Sequence, residues 1–403
     1  MSALECDAAM NPAQRVAETA VEAALATLLP PLKHELLLTA CLREGREAAN
    51  AWSEFVAAVG DAKNYFEGNN TGLKGLLPFV ETSLAANNID AGKAFHTYAR
   101  VALVREELRG RIVAGILEDL VAAADAQGIR FLLMKGAAVG ATAYPQPSAR
   151  HVHAIDLLID PQGWHQARTL LAQLRFDELP RGPGADHHQD FKHWTGLALG
   201  LHNKPFFLPY FAMPMALIES RARTIEVQGG RAIRVMSPED SLVHVSGHAV
   251  YARSRSNLRW VCDVVCLLKR YPNLDWQRVV DTAVMAGLAP VLLNQLRWIN
   301  RRLFPIPRRW LKELHSRSRA TLFDSSECFY ASVLHTTQSR RKALRAFGAE
   351  WRTQLGFLRF TICPSLRYMR WKHNVDSNWR VAVHYADRPR RFALRLAQVG
   401  GMT

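Results

Sequence analysis

The sequence predicts an α+β fold, a mixed sheet core flanked by N- and C-terminal helical segments. Three observations predict it. Up to about residue 127 apolar residues recur at spacings of three and four, the period of helices buried on one face. Over 128–236 short apolar runs end on Gly, Pro or polar clusters, the texture of strands and loops. From Ser237 the helical period returns. Four segments follow: 1–127 helical, 128–236 the α+β core, 237–346 helical, and 347–403 a basic, aromatic-rich tail.

Each element has a local reason. "RVAETAVEAALATLL" is amphipathic and Pro30-Pro31 ends it. "HELLLTACLREGREAANAWSEFVAAV" is helical with a break near Gly45, and "NYFEGNNTGLKGLLPF" predicts a loop from its Gly and Asn residues. One long helix runs from about Gly92 to Ala126. "IRFLLMKG" is a buried strand by its length and its terminal Gly, followed by the small-residue helix "AAVGATAY" and the loop "PQPSARHVHA". The strand "IDLLI" precedes Pro161, which opens a helix. "HHQDFKHWTG", "LALGLHNKPF", "RTIEVQ" and "RAIRVM" give further strands and loops. At "SPEDSLVHVSGHAVY" Ser237 is a helix N-cap, with Pro first and acids in the first turn.

The chain has 403 residues, 49% of them apolar, enough for two or three cores. No long uninterrupted apolar run predicts a membrane span. The start lacks a basic region followed by an apolar one, so no signal peptide is expected. The six cysteines (Cys6, Cys41, Cys262, Cys266, Cys328, Cys363) form no C-x-x-C pair, which fits buried thiols in a reducing, cytoplasmic setting. Residues 301–403 hold 21 of the 51 Lys and Arg but only six of the 36 acids, a surplus equal to the whole net charge of +15. Such a segment attracts a polyanion, nucleic acid or an acidic membrane surface, or else is a solvated helical face. Trp351, Trp371 and Trp379 interleave there with Arg352, Arg370 and Arg380, a pattern suited to stacking plus phosphate contacts.

The chemistry concentrates in "LLMKGAAVGATAYPQPSARHVHAIDLLID". One strand delivers Lys135 and Gly136 to the mouth of a helix, whose backbone N–H groups can hold a phosphate. The next strand delivers Asp156, with Arg150 just upstream. A glycine-containing turn beside a carboxylate strand is the layout of nucleotidyl transfer, in which carboxylates hold Mg²⁺ against a triphosphate. No G-x-S-x-G or P-loop is present.

The same residues carry a family resemblance. Met134-Lys135-Gly136, Tyr144-Pro145, Arg150, Asp156-Leu157-Leu158-Ile159, Leu201-His202, the helices "LVHVSGHAV" and "LRWVCDVVCLL", and the end "YADRPRRFALRL" resemble the uncharacterised nucleotidyltransferases of the polymerase-β-like superfamily. The resemblance implies a nucleotidyltransferase-fold core and transfer of a nucleoside monophosphate from a nucleoside triphosphate to an unknown acceptor. It implies Mg²⁺ or Mn²⁺ as cofactor. It makes Asp156 the catalytic metal ligand, and Lys135, Gly136 and Arg150 the phosphate-binding residues.

The departures fall on the chemistry. Where the family has the first Asp of its D-x-D this chain has Ala154, and where it has the later Asp before Leu-His this chain has Gly200. One carboxylate of three remains, and hard cations need several oxygen ligands, so weakened or lost catalysis is expected. Six of the fifteen histidines crowd this region (His151, His153, His187, His188, His193, His202). His151, His153 and His202 are candidate auxiliary ligands, with Asp186 and Asp190 nearby, for a metal of the Mn²⁺ or Zn²⁺ type; otherwise the histidines line a polar cleft. His244 and His248, four apart, share a helix face and fit helix packing. Three readings remain open: a transferase, a nucleotide- or anion-binding scaffold or regulatory protein, and a nucleic-acid-binding protein acting through its basic C-terminus.

Overall fold

The computed structural model describes Leu25, residues 29–68, 71–180, 188–206, 211–227, 230–250 and 258–318, and most of 363–388. The first predicted helix lies almost wholly outside the described residues, as do 319–362. Helices α1 (Leu32–Leu42), α2 (Gly45–Val59), α3 (Ala62–Gly68), α4 (Thr71–Lys74), α5 (Leu77–Ala86) and α6 (Lys93–Ala126) lead into the sheet. Gly45, at φ 59°, makes the break between α1 and α2. The loop expected over "NYFEGNNTGLKGLLPF" is instead mostly helical. The Asp61 side chain accepts the Asn64 N–H at 2.6 Å, and Phe66 and Leu73 are fully buried. Capping and burial there override the Gly and Asn signals.

The sheet interleaves with short helices: β1 (Leu132–Met134), α7 (Lys135–Ala143), β2 (Ala154–Leu158), α8 (Trp164–Gln173), β3 (Phe176–Glu178), β4 (His188–His193), β5 (Ala198–His202), α9 (Met215–Arg221), β6 (Arg223–Glu226) and β7 (Ala232–Val235). Its strand order is β3-β4-β5-β2-β1-β7-β6. The pairs β1–β7 and β2–β5 are parallel, and the other four neighbours are antiparallel. The strands "FLLMKG" and "AIDLLI" are adjacent as expected, with Met134 opposite Asp156. Pro161 opens a 3₁₀ turn, capped by Asp160, and α8 proper starts at Trp164. The edge strand β3 was not expected; three residues are too few for a period to show.

Side-chain alternation gives the sheet two unlike faces. Leu133, Ile155, Leu157, Phe191, Leu199 and Leu201 pack on Leu117, Leu120 and Val121 of α6 and Leu170 and Leu171 of α8. Each such side chain stabilises the fold by about 1.5–3 kcal/mol relative to exposure. Their strand neighbours, Ala154, Asp156, Gly200, His202, His188 and Asp190, point to the other face, which is polar.

The chain continues in α10 (Pro238–Ala249), α11 (Arg259–Arg270), α12 (Trp276–Met285), α13 (Ala289–Arg302), α14 (Arg308–Ser318) and α15 (Leu366–His373). The Ser237 side chain accepts the Asp240 N–H at 3.1 Å, the cap its sequence predicts. Helices from before and after the sheet share one core, in which Leu37, Leu38 and Phe55 join Val264, Val265, Leu292 and Leu296. Cations close helix ends across it: the Lys269 amine donates to Leu42 O at 2.7 Å and Arg43 Nη2 to Arg302 O at 3.1 Å. Among the described residues no helix is long and apolar enough to cross a membrane.

Candidate functional site

A cleft of about 330 Å³ lies against the polar face of the sheet. Lys135, Gly136, Arg150, His151, His153, Ala154 and Asp156 line it from the sheet side, and His244, His248, Arg259 and Asp263 from α10 and α11. The seven sequence-predicted site residues meet here, since His202 contacts Asp156 beneath the lining.

At its centre Lys135 Nζ donates to Asp156 Oδ1 at 2.7 Å, and His202 Nε2 lies 2.9 Å from the same oxygen and 3.2 Å from the amine. The backbone makes this possible. Lys135 follows β1 directly and begins α7 at φ 56°, the left-handed region that an L residue enters at a cost of about 1–2 kcal/mol. The strain is offset only where surroundings fix it, and here the amine's ion pair does so. Met134, the N-cap of α7, gives no side-chain cap to the first N–H groups of the helix, which begins at Lys135.

Burial pushes the Asp156 carboxyl up, but the Lys135 ammonium and the His202 hydrogen bond more than reverse this, and it lies well below the usual carboxylate range. Burial, then the Lys135 charge, drives His202 down to about 3, so its ring is neutral. The same two causes bring His244 to about 4 and depress His248 strongly. His244 Nε2 bonds Pro205 O at 3.1 Å, so this helix-face histidine is a satisfied wall residue.

The other predicted residues are held by partners the sequence did not disclose. Asp263 grips Arg150 with both oxygens, Nε–Oδ1 2.6 Å and Nη2–Oδ2 2.8 Å, and accepts the Tyr144 hydroxyl at 2.7 Å. Burial alone would lower Arg150, yet Asp263 more than offsets it and the guanidinium stays charged. A Cβ on Gly136 would stand 3.3 Å from Arg150 Nη1, so glycine lets the guanidinium lie against α7. His151 Nδ1 meets Glu106 Oε2 at 2.7 Å, and Glu106 also accepts the Val152 N–H at 2.7 Å. Asp263 left one trace, a lone acid inside the apolar run "WVCDVVCLL". Glu106 left none among the many charges of α6.

Gly200 stands between Asp156 and Asp190 in the sheet register. A Cβ there would lie 2.9 Å from His202 Nε2, 3.0 Å from Asp156 Oδ1 and 3.4 Å from His188 Nε2. His188 Nε2 pairs with Asp190 Oδ1 at 2.8 Å, and its ring stacks on His202 with centroids 4.6 Å apart. Asp186 and His187 lie outside the described residues.

These donors do not fit a two-metal centre. Asp156 is engaged by an ammonium, His151 by Glu106, and among the described residues no group of three His, Cys, Asp or Glu is arranged to hold a metal ion. Three thiols are buried as expected and are poor nucleophiles, whereas Cys363 is exposed, against the expectation. Cys41, Cys262 and Cys266 are free and buried, and burial pushes Cys41 and Cys266 up to about 12.

No curated protein matches the chain. Among solved structures, that of the antibiotic-resistance factor ANT(2'')-Ia is 13% identical, covering 47% of this chain and 93% of its own, at a TM-score of 0.29. An antigenic nucleotidyltransferase-like protein from Paracoccidioides brasiliensis is 15% identical, covering 51% and 92%, at a TM-score of 0.30. Overlaps this loose carry no weight beside the sequence match. Residues 73–304, more than half of the chain and all of the cleft, match the uncharacterised nucleotidyltransferase family, and the chain belongs to that family.

Proposed function

We propose that the cleft binds the phosphates of a nucleoside triphosphate and that transfer to an acceptor is weakened or lost. One observation carries this reading: the Lys135 ammonium sits 2.7 Å from Asp156, the carboxylate that the family resemblance makes the metal ligand. Gly200, on the adjoining strand, leaves no room for a second acid without displacing His202 and Asp156. The uncapped start of α7 and the remaining N–H groups of Lys135 supply anion donors. Arg150 stands in the wall as a further phosphate-binding candidate, its guanidinium fixed and its charge balanced by Asp263. The protein then acts as a nucleotide-binding scaffold or regulatory subunit, with residues 128–236 as its binding module. The test is release of pyrophosphate and self- or acceptor-labelling from each of the four nucleoside triphosphates, with Mg²⁺ and with Mn²⁺. Labelling at background level is expected, and robust Mg²⁺-dependent labelling would show that Asp190 or the histidines replace the missing acids.

A second reading concerns the C-terminal segment. Trp379 is 67% exposed with the Arg380 guanidinium 5.5 Å from its ring centroid, and Arg309 lies 4.6 Å from that of Trp310. These pairs suit stacking plus phosphate contact with a nucleic acid. Affinity for RNA or DNA that falls steeply with salt supports this role, and salt-insensitive or absent binding removes it.

A further inference from the structure

A second, larger cavity lies beside the cleft. It measures about 900 Å³ and runs between α3–α5 on one side and the outer face of α6 on the other. Its charge is one-sided. Lys63, Lys74, Lys93, Arg105 and Arg109 line it, with Glu106 the single acid among the described residues. That acid is buried and engaged, by His151 and the Val152 N–H and, at 3.9 Å, by Arg109 Nε, so within the groove it offsets Arg109 alone. Lys63 has a loose surface pair with Glu67 at 3.6 Å, and Arg109 donates to Val152 O at 3.2 Å. Lys74, Lys93 and Arg105 have no ion-pair partner among the described residues. The cations therefore face a concave space with little internal compensation, which concentrates anions.

We propose that this groove is a binding site for a small phosphorylated molecule, separate from the nucleotide cleft. Its size lies within the range of small-molecule pockets, about 300–1,000 Å³. Between the cations the wall is apolar, formed by Leu77, Pro78, Val101 and Ala102 with the Tyr98 ring, which suits a carbon skeleton. A nucleic-acid strand needs instead an extended basic track with stacking platforms, and here the cations surround one hollow. His151 lines both the groove and the cleft, so a ligand at that end lies next to the Glu106–His151 contact that holds the cleft's rim. The proposal stands independently of the reading of the cleft, and either can fail alone.

The probe is fructose 1,6-bisphosphate, titrated calorimetrically into the full chain, with ATP and a single-stranded 20-nucleotide DNA as comparisons. The bisphosphate should bind the unmodified protein. Lys74→Glu and Arg105→Glu should each weaken it by about tenfold or more, the effect of losing a charge-assisted contact. ATP binding should be unchanged in both variants, and Lys135→Ala should leave bisphosphate binding intact. The exposed Lys93→Glu gives a third readout if either variant unfolds. Absent bisphosphate binding would overturn the proposal, as would equal binding by the three groove variants. Loss of bisphosphate affinity in Lys135→Ala alone would assign the ligand to the cleft. DNA binding without bisphosphate binding, lost in the groove variants, would make the groove a nucleic-acid surface and also overturn it. If the bisphosphate binds as expected while ATP does not, the nucleotide reading fails and the groove stands.

Discussion

Lys135 and Asp156 form an ion pair at 2.7 Å although 21 residues separate them, because β1 and β2 lie side by side with Met134 opposite Asp156. The pair makes the amine both a possible phosphate donor and the carboxylate's counter-ion. Lys135→Ala should therefore weaken nucleotide binding by about 1–3 kcal/mol and also destabilise the fold by about 1–3 kcal/mol, since Asp156 loses its charge partner. A solvent-facing lysine would not have affected stability. Because φ at this position is 56°, Lys135→Gly should recover about 1 kcal/mol of that stability, but none of the affinity. Urea denaturation and nucleotide titration of both variants check this.

Restoring the acids expected from the family should succeed at one site and fail at the other. Ala154 is half-buried on the cleft face, two residues before Asp156, and Ala154→Asp should change stability by less than about 1 kcal/mol. Gly200→Asp must place its Cβ within 3.0 Å of Asp156 Oδ1 and His202 Nε2, and it adds a like charge beside Asp156. A loss of about 1–3 kcal/mol is expected from overpacking alone. Equal melting temperatures for the two variants would show that the sheet face accommodates an acid more easily than this packing allows.

Stability should fall as the solution is acidified from neutral pH. His202 and His244 titrate in the folded protein at about 3 and about 4, below the 6.5 of an exposed imidazole. Between these values the unfolded chain binds protons that the folded chain does not. The folded state therefore loses up to about 1.4 kcal/mol per pH unit for each histidine as pH drops through that window. The depressed Asp156 carboxyl acts in the same direction at lower pH: its contribution is present above the ordinary carboxylate value and is lost as pH falls toward its folded one. His202→Gln should flatten the dependence between pH 6.5 and 4 by about one proton. A urea midpoint equal at pH 7 and pH 5 in the unmodified protein would contradict the buried neutral histidines.

The sheet and the centre of the cleft were legible for a local reason. Short apolar runs ended by Gly or Pro mark strands, and Lys135-Gly136 directly after β1 and Asp156 within β2 fall in one short stretch. The clamps around them were not legible. Arg150 and Asp263 are 113 residues apart, and His151 and Glu106 are 45 apart, so each pairing exists only once helices α11 and α6 have packed. The helical α3–α4 stretch was misread because glycine and asparagine report local preference, whereas Phe66 and Leu73 are held by distant core. The sequence has Ala154 and Gly200 where the resemblance implies acids, but what crowds an acid at Gly200 is a distance that only the fold sets.

The central claim is a phosphate cleft whose cation is a lysine. Calorimetric titration of ATP, CTP, GTP and UTP into the full chain, in EDTA and again with Mg²⁺ or Mn²⁺, tests it most directly. At least one nucleotide should bind in EDTA with an affinity that the metals change by less than about tenfold, which is 1.4 kcal/mol. Binding that appears only with Mg²⁺ or Mn²⁺ would mean that a metal centre forms around Asp156 despite Lys135, and would contradict the account.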